Sequence, residues 1–362
     1  MIFDISDRIL VYPVDRKSLS IIESSENYSS IHLCQLVSPL AWGYENYSAR
    51  TSEGQVMISH DYETALCDCT AVWFVDSWNE LDFIKFIEPA FRSANQQGKK
   101  VVCSRKLTDN ERASLSDLEI TYIDYSIFTT IPKQDDRISE VVTPVIYVLS
   151  STEYCNQFYV ETALTAALRN RDYKTLLVSS QKEGVAFNEA TLPGFLFFSS
   201  FTENEKVIAM NRYICHLEKE YQPEIIIIGV TGAAMPYNNQ HSSDFGIIAY
   251  EMSEAIKPDF SIMCSPCLSY EHKSFEEIEK SIFGRLGVCI DIHSLSPFAL
   301  DYNEISTEKR LGYLSLDEKY VQDMISKIDY TGLLNLNTMN GISSAADRVI
   351  DKLSGGAGSL IT

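Results

Sequence analysis

Between Pro223 and Cys267 the sequence reads PEIIIIGVTGAAMPYNNQHSSDFGIIAYEMSEAIKPDFSIMCSPC. Four consecutive isoleucines, Ile225–Ile228, stand between Pro223 and Gly229. An apolar run bounded in this way predicts a strand buried on both faces. The loop Val230–Ser243 follows and holds Gly232, Pro236, Asn238 and Asn239. Phe245, Ile248, Ala249, Met252 and Ile256 then recur at helical spacing, and Lys257-Pro258 ends that helix. Phe260–Cys264 predicts a second buried strand. Strand, helix and strand within about forty residues make a βαβ crossover, so the sheet is expected to be parallel. Ligands of such sheets sit at the carboxyl ends of the strands. That directs attention to the loop Thr231–Asn239.

The same alternation extends outward in both directions. Upstream, strands are predicted at Arg8–Tyr12, Ile31–Val37, Val56–Ile58, Thr70–Val75, Lys100–Cys103 and Ile120–Ile123. Helices are predicted at Tyr62–Leu66 and at Glu80–Gln96, the latter with Leu81, Ile84, Ile87 and Phe91 inward and a break at Pro89. Lys133–Ser139 is polar and reads as a domain boundary. A second series then runs from the strand Val145–Leu149 through a helix at Gln157–Arg169, a strand at Thr175–Ser179 and a helix from Thr202 to Glu220. Downstream come a strand at Gly287–Ile292, an edge strand at Leu311–Leu314 and helices to Ile328 and over Ser343–Leu353. Capping boxes are read at Thr108/Glu111, Thr202/Glu205, Ser274/Glu277 and Ser315/Glu318. The tail from Gly355 to Gly358 reads as disordered. The expected class is α/β: two Rossmann-like or P-loop-like three-layer domains, 1–132 and 140–314, with mainly parallel sheets, followed by a helical tail, 315–362.

The 362 residues carry 50 acids against 30 bases, a formal net charge of −20. That argues against nucleic acid and anionic membranes as partners. No apolar run is long enough to span a bilayer, and the start, MIFDISDR, lacks a signal-peptide layout. The nine cysteines are scattered, several inside apolar strands, which is the usage of reduced thiols in the cytoplasm.

The stretch Val145–Leu168 has the setting of a phosphate-binding loop, a strand entering a short loop that opens a helix. Against the pattern G-x-x-x-x-G-K-[ST], the chain has Ser151, Asn156, Gln157 and Phe158 at the defining positions. Two readings stay open: a nucleotide-fold loop that no longer hydrolyses nucleotide, or an unrelated strand–helix turn. Cys264-Ser-Pro-Cys267 lies past a strand end, where a C-x-x-C could be redox-active or hold metal, but no second pair completes a zinc site. The six histidines form no metal-ligand pattern, and His241 is the one in the loop Val230–Ser243. There is no G-x-G-x-x-G after a strand and no G-x-S-x-G elbow. Asp76 and Asp291 stand in strand contexts and are expected to pair locally.

Several short elements together resemble the peptide-maturation system proteins found beside radical-SAM enzymes in clostridial clusters for ribosomally made peptides. They are Val11-Tyr12-Pro13-Val14-Asp15, Ser38-Pro39 with Trp42-Gly43, Cys155-Asn156-Gln157-Phe158, Gly229-Val230-Thr231-Gly232 with Met235-Pro236, and Phe245-Gly246 with Ala249-Tyr250-Glu251. The resemblance runs from about Arg8 to Leu314. It implies an accessory role in the cytoplasm of a bacterium, with a precursor peptide or a peptide-modifying enzyme as partner and homo- or hetero-oligomers left open. The family pattern has a lysine where this chain has Gln157, and Gly-Gly where it has Gly232-Ala233. ATP with Mg²⁺ is therefore disfavoured as a cofactor, and no metal is assigned. The candidate ligand-binding set is Ser151, Cys155, Asn156, Gln157, Phe158, Thr231, Gly232, Met235, Asn238 and Asn239, with Asp15 and Trp42 as the motif of the first domain. The alternatives are a nucleotide-dependent peptide-modifying enzyme and a thiol or metal protein using Cys264 and Cys267.

Overall fold

The computed structural model describes residues 2–44, 47–125, 137–197, 201–238, 243–308 and 311–357. The chain divides into two units: Met1–Asp124 with Lys182–Glu189, and Tyr125–Gln181 with Ala190–Thr362. Each is a Rossmann-like α/β layer structure. Within the polar stretch read as a boundary, residues 133–136 lie outside the described residues.

The first unit runs β1 (Arg8–Tyr12), α1 (Arg16–Ser24), β2 (His32–Val37), β3 (Ser48–Thr51), β4 (Gly54–Ser59), α2 (Tyr62–Cys67), β5 (Ala71–Phe74), α3 (Glu88–Gln96), β6 (Lys100–Cys103), α4 (Asp109–Ser114) and β7 (Thr121–Tyr122). The sheet order is β3-β4-β2-β1-β5-β6-β7, parallel except for the β3–β4 hairpin. Side chains alternate across the strands. Leu10, Val72, Phe74 and Val101 therefore pack with Phe91 and Ala94 of α3 on one face. A single π turn at Phe83–Ile87 leads into α3, and Pro89 occupies the first α turn, where its missing N–H is harmless. Ile87 and Phe91 are buried as expected. Ile84 is exposed instead, because the π turn shifts the stripe.

The second unit runs β8 (Val145–Ser150), α5 (Gln157–Arg169), β9 (Thr175–Ser179), β10 (Ala190–Thr191), α6 (Glu203–Tyr221), β11 (Ile225–Gly229), α7 (Ile247–Ala255), β12 (Phe260–Ser265), α8 (His272–Leu286), β13 (Ile292–Leu295), β14 (Phe298–Leu300), α9 (Tyr302–Glu308), β15 (Tyr313–Ser315), α10 (Glu318–Ser326) and α11 (Met339–Ala357). Its main sheet is wholly parallel, in the order β10-β9-β11-β8-β12-β13. The isoleucine run shows the period of two. Ile226 and Ile228 pack under α6 and α7, whereas Ile225 and Ile227 pack under α5 and α11. β14 and β15 form a separate antiparallel pair.

Four local expectations are corrected. Phe245 is exposed, because α7 starts only at Ile247, after Gly246 at φ +72°. The helix expected at Ser274 begins at His272, with Ser274 Oγ accepting from Glu271 N–H (3.2 Å). The strand expected over Gly287–Ile292 begins at Ile292, since Gly287 ends α8 at φ +65°. Asp317, not Ser315, caps α10 through Lys319 N–H. At the tail, expected to be disordered, α11 continues through Gly355 to Ala357. Gly358 lies outside the described residues.

Candidate functional site

In the second unit β8 is central and lies between β11 and β12, so the loops after these three strands emerge side by side at the carboxyl edge. Backbone bonds tie them together. Ser151 N–H donates to Cys264 O (2.9 Å), Val230 N–H to Val148 O (2.9 Å) and Ala234 N–H to Ser150 O (2.7 Å). The loop from Ser151 to Asn156 and the loop at Thr231 and Gly232 thus meet, as their positions after central strands require.

Gln157, at the first position of α5, is buried. Its Nε2 donates to Val148 O (2.8 Å) and Val230 O (2.9 Å), and its Oε1 lies 2.9 Å from Ser150 Oγ. That hydroxyl also lies 3.0 Å from Gly232 O, and its single proton can serve either acceptor. The amide is therefore used up inside the protein, joining the ends of β8 and β11. Asn156 is left-handed at φ +55°, and its amide donates to Asn337 Oδ1 (3.2 Å). Asn337 in turn donates to Leu295 O (2.7 Å), so the segment just before α11 closes this flank of the loop. Phe158 is buried.

The surroundings are rich in tyrosines and thiols. Cys155 lies 3.0 Å from Thr152 Oγ1, and burial pushes its thiol up to about 11. Burial also raises Cys264, with lesser contributions from Cys155 and Glu161, and it raises Cys267. All three thiols are thus held protonated, the reverse of an activated nucleophile. Cys264 faces the core under α5 and α11, while Cys267 packs with Phe275, Leu295 and Val321. The two thiols of the C-x-x-C pair thus belong to different clusters. Tyr154 and Tyr313 meet edge to face at 5.2 Å, and Tyr270 and Tyr313 are held above the usual phenol range by burial. Burial, then the hydrogen bond with Tyr302, pushes Tyr237 up to about 12.

One turn along α5 stands Glu161, fully buried. Its Oε2 accepts from Ser180 N–H (3.0 Å), while Oε1 has no hydrogen-bond partner among the described residues. The carboxyl occupies the room left by Gly229, where a Cβ would lie 2.1 Å from Oε1. Desolvation pushes Glu161 up to about 8. A neutral acid with one orphan oxygen costs far less than a buried carboxylate would.

The remaining candidates are spread more widely. Met235 packs against the core under α6 and α7, and Asn238 is exposed. Asn239 and His241 lie outside the described residues. In the first unit Asp15 is buried after β1 and caps α1. Its carboxylate accepts from the N–H groups of Lys17 (2.9 Å), Trp78 and Asn79 (3.0 Å). Burial raises its pKa against these hydrogen bonds. Trp42 is half-buried in a 3₁₀ turn, and Tyr44 accepts Arg16 N–H (3.0 Å). Asp76 takes Lys106 N–H (2.8 Å), and Asp291 takes Ser261 N–H (2.9 Å), the local pairing expected of both.

Sequence reasoning missed Glu161, Asn337 and the tyrosines. Only Glu161 carried a signal, as an acid among Tyr159, Val160 and Ala163 on a helix that is buried almost all round.

Among the described residues no helix is long and apolar enough to cross a membrane. No family model matches the chain, and no curated protein matches it. Its fold is similar to the crystal structure of a DUF1611 family protein from Anabaena variabilis ATCC 29413, with a TM-score of 0.63 at 12% identity over 96% of this chain and 100% of that one.

Proposed function

We propose that this protein is a non-catalytic member of a cytoplasmic peptide-maturation system. In this reading its second unit is a phosphate-loop scaffold that has given up nucleotide chemistry and holds a precursor peptide or a modifying enzyme. The observation that carries the reading is the state of Gln157. At the position where a phosphate loop presents its lysine, this chain has an amide spent on Val148 O, Val230 O and Ser150 Oγ. The other requirements fail beside it. Ser151 N–H is committed to Cys264 O, and the buried ring of Phe158 replaces the hydroxyl that would hold Mg²⁺. The residues present do not fit ATP with Mg²⁺. The resemblance of the short sequence elements to those of the maturation proteins supports the peptide as partner, and the carboxyl edge offers tyrosine faces and hydroxyls suited to binding one.

Calorimetry on the full chain tests this. ATP with Mg²⁺ is expected to give weak or no heat, and the precursor peptide encoded beside the gene is expected to bind. Tight ATP binding by the unmodified protein would put the nucleotide-dependent enzyme first.

A further inference from the structure

A second feature lies on the face of α6 and α7. A cleft of about 410 Å³ is lined by Ile138, by Glu203 and Val207 of α6, and by Ile247, Tyr250, Glu251 and Glu254 of the α7 side. That volume falls in the range of binding pockets, about 300–1,000 Å³. Ile138, Ile247 and Tyr250, which line the same cleft, are 47%, 48% and 51% exposed. Beside them stand three carboxylates, and no Lys or Arg is among the described lining residues. Lys206 is shared between Glu203 (3.2 Å) and Glu251 (3.4 Å), and Lys257 Nζ lies 3.2 Å from Glu254. Glu251 is 1% exposed, and its Oε2 has no hydrogen-bond partner among the described residues. The three carboxyl groups of the cleft thus share two lysines, Lys206 and Lys257, an excess of one acid.

We infer that this cleft docks a basic, apolar peptide segment. An aliphatic or aromatic side chain of that segment lies on Ile138, Ile247 and Tyr250, and a neighbouring Lys or Arg meets Glu203 and Glu254. The excess of acid selects the partner: a basic segment is favoured there and an acidic one is repelled. The inference draws the class of partner from the peptide-binding reading, while the cleft itself stands on its geometry.

The test is fluorescence polarisation on the full chain. The probe is a labelled peptide of about ten residues in which Lys, Leu and Gly repeat. Control peptides replace Lys by Glu, or Leu by Ser. The Lys/Leu probe is expected to bind and the controls are not. Glu203→Gln with Glu254→Gln is expected to raise Kd at least about tenfold, and Tyr250→Ser to do the same. Ile247→Ser is an independent check, and all of these positions are exposed at the rim, so folding is expected to survive. Equal binding by the variants overturns the inference. So does equal binding of the Lys/Ser control, which would show attraction to a chain of net charge −20 and nothing more. The two readings separate cleanly. A precursor peptide that binds the cleft variants as well as the wild type removes the cleft alone. A precursor that fails to bind the wild type removes the peptide-binding reading, and the probe still decides the cleft.

Discussion

Gly229 and Glu161 hold each other in place. A methyl group at Gly229 would lie 2.1–2.5 Å from the Glu161 carboxyl atoms, and that side chain has no solvent into which to swing. Gly229→Ala is expected to cost about 1–3 kcal/mol, as overpacking does, with Glu161→Ala in the same chain recovering part of it. Urea unfolding measures both, and an unchanged midpoint in the single variant would falsify the steric account. The same carboxyl has a pH signature. Its folded pKa, about 8, lies above the unfolded value near 4.5, so the folded state favours the protonated form. This contribution to stability is full below about 4.5 and fades as pH rises through 8. The slope reaches at most about 1.4 kcal/mol per pH unit. Glu161→Gln, which keeps the shape and cannot ionise, is expected to flatten the fall between pH 5 and 8. Parallel unfolding curves for the two proteins across that range would contradict the assignment.

Helix α5 illustrates what can be read from residues and what cannot. Its limits, Gln157–Arg169, follow from an apolar strand, a short polar loop and a stop at Asn170, all local. Ile225–Ile228 was equally legible, because a continuous apolar run bounded by Pro and Gly has few other uses. Phe245 misled because a 3.6-residue stripe carries no mark of where Gly246 turns left-handed. The closure of the site by Asn337 was illegible, since Asn156 and Asn337 are brought together only when α11 lies down on α5. That docking rests on apolar residues, two of them alanines: Ile342, Ala345, Ala346 and Val349 are buried against the face of α5. Arg171 adds a clasp, with Nη2 donating to Asp347 Oδ1 (2.8 Å) and Ser343 Oγ (2.7 Å). Ala345→Leu or Ala346→Leu is expected to lower stability by about 1–3 kcal/mol, because the helices meet with no room for three more carbons. A thermal melt at or above the wild-type midpoint would show that α11 docks more loosely than this.

The division into two units is not a division of the chain at one point. Lys182–Glu189, which leaves the second sheet after β9 and returns to it at β10, belongs to the first unit. There Phe187 packs 5.0 Å from the Tyr28 ring and 6.1 Å from Trp73, and Tyr28 Oη donates to Glu189 Oε1 (2.9 Å). Nothing in EGVAF announces this, for membership of a distant core is a property of the assembled chain. A fragment Met1–Asp124 is expected to bind a hydrophobic dye and to lose the near-ultraviolet signal of its packed Trp73. A fragment matching the first unit in both respects would show that the excursion is dispensable. There is also a consequence for birth on the ribosome. The first unit is fully translated in two instalments, and about 65 residues separate Asp124 from Glu189. At about 5–20 residues per second the flank of Trp73 waits roughly 3–13 s for Phe187. During that interval the nascent chain carries an aromatic surface that has not met its cover, and whatever shields it in the cell must act before the second sheet is half made.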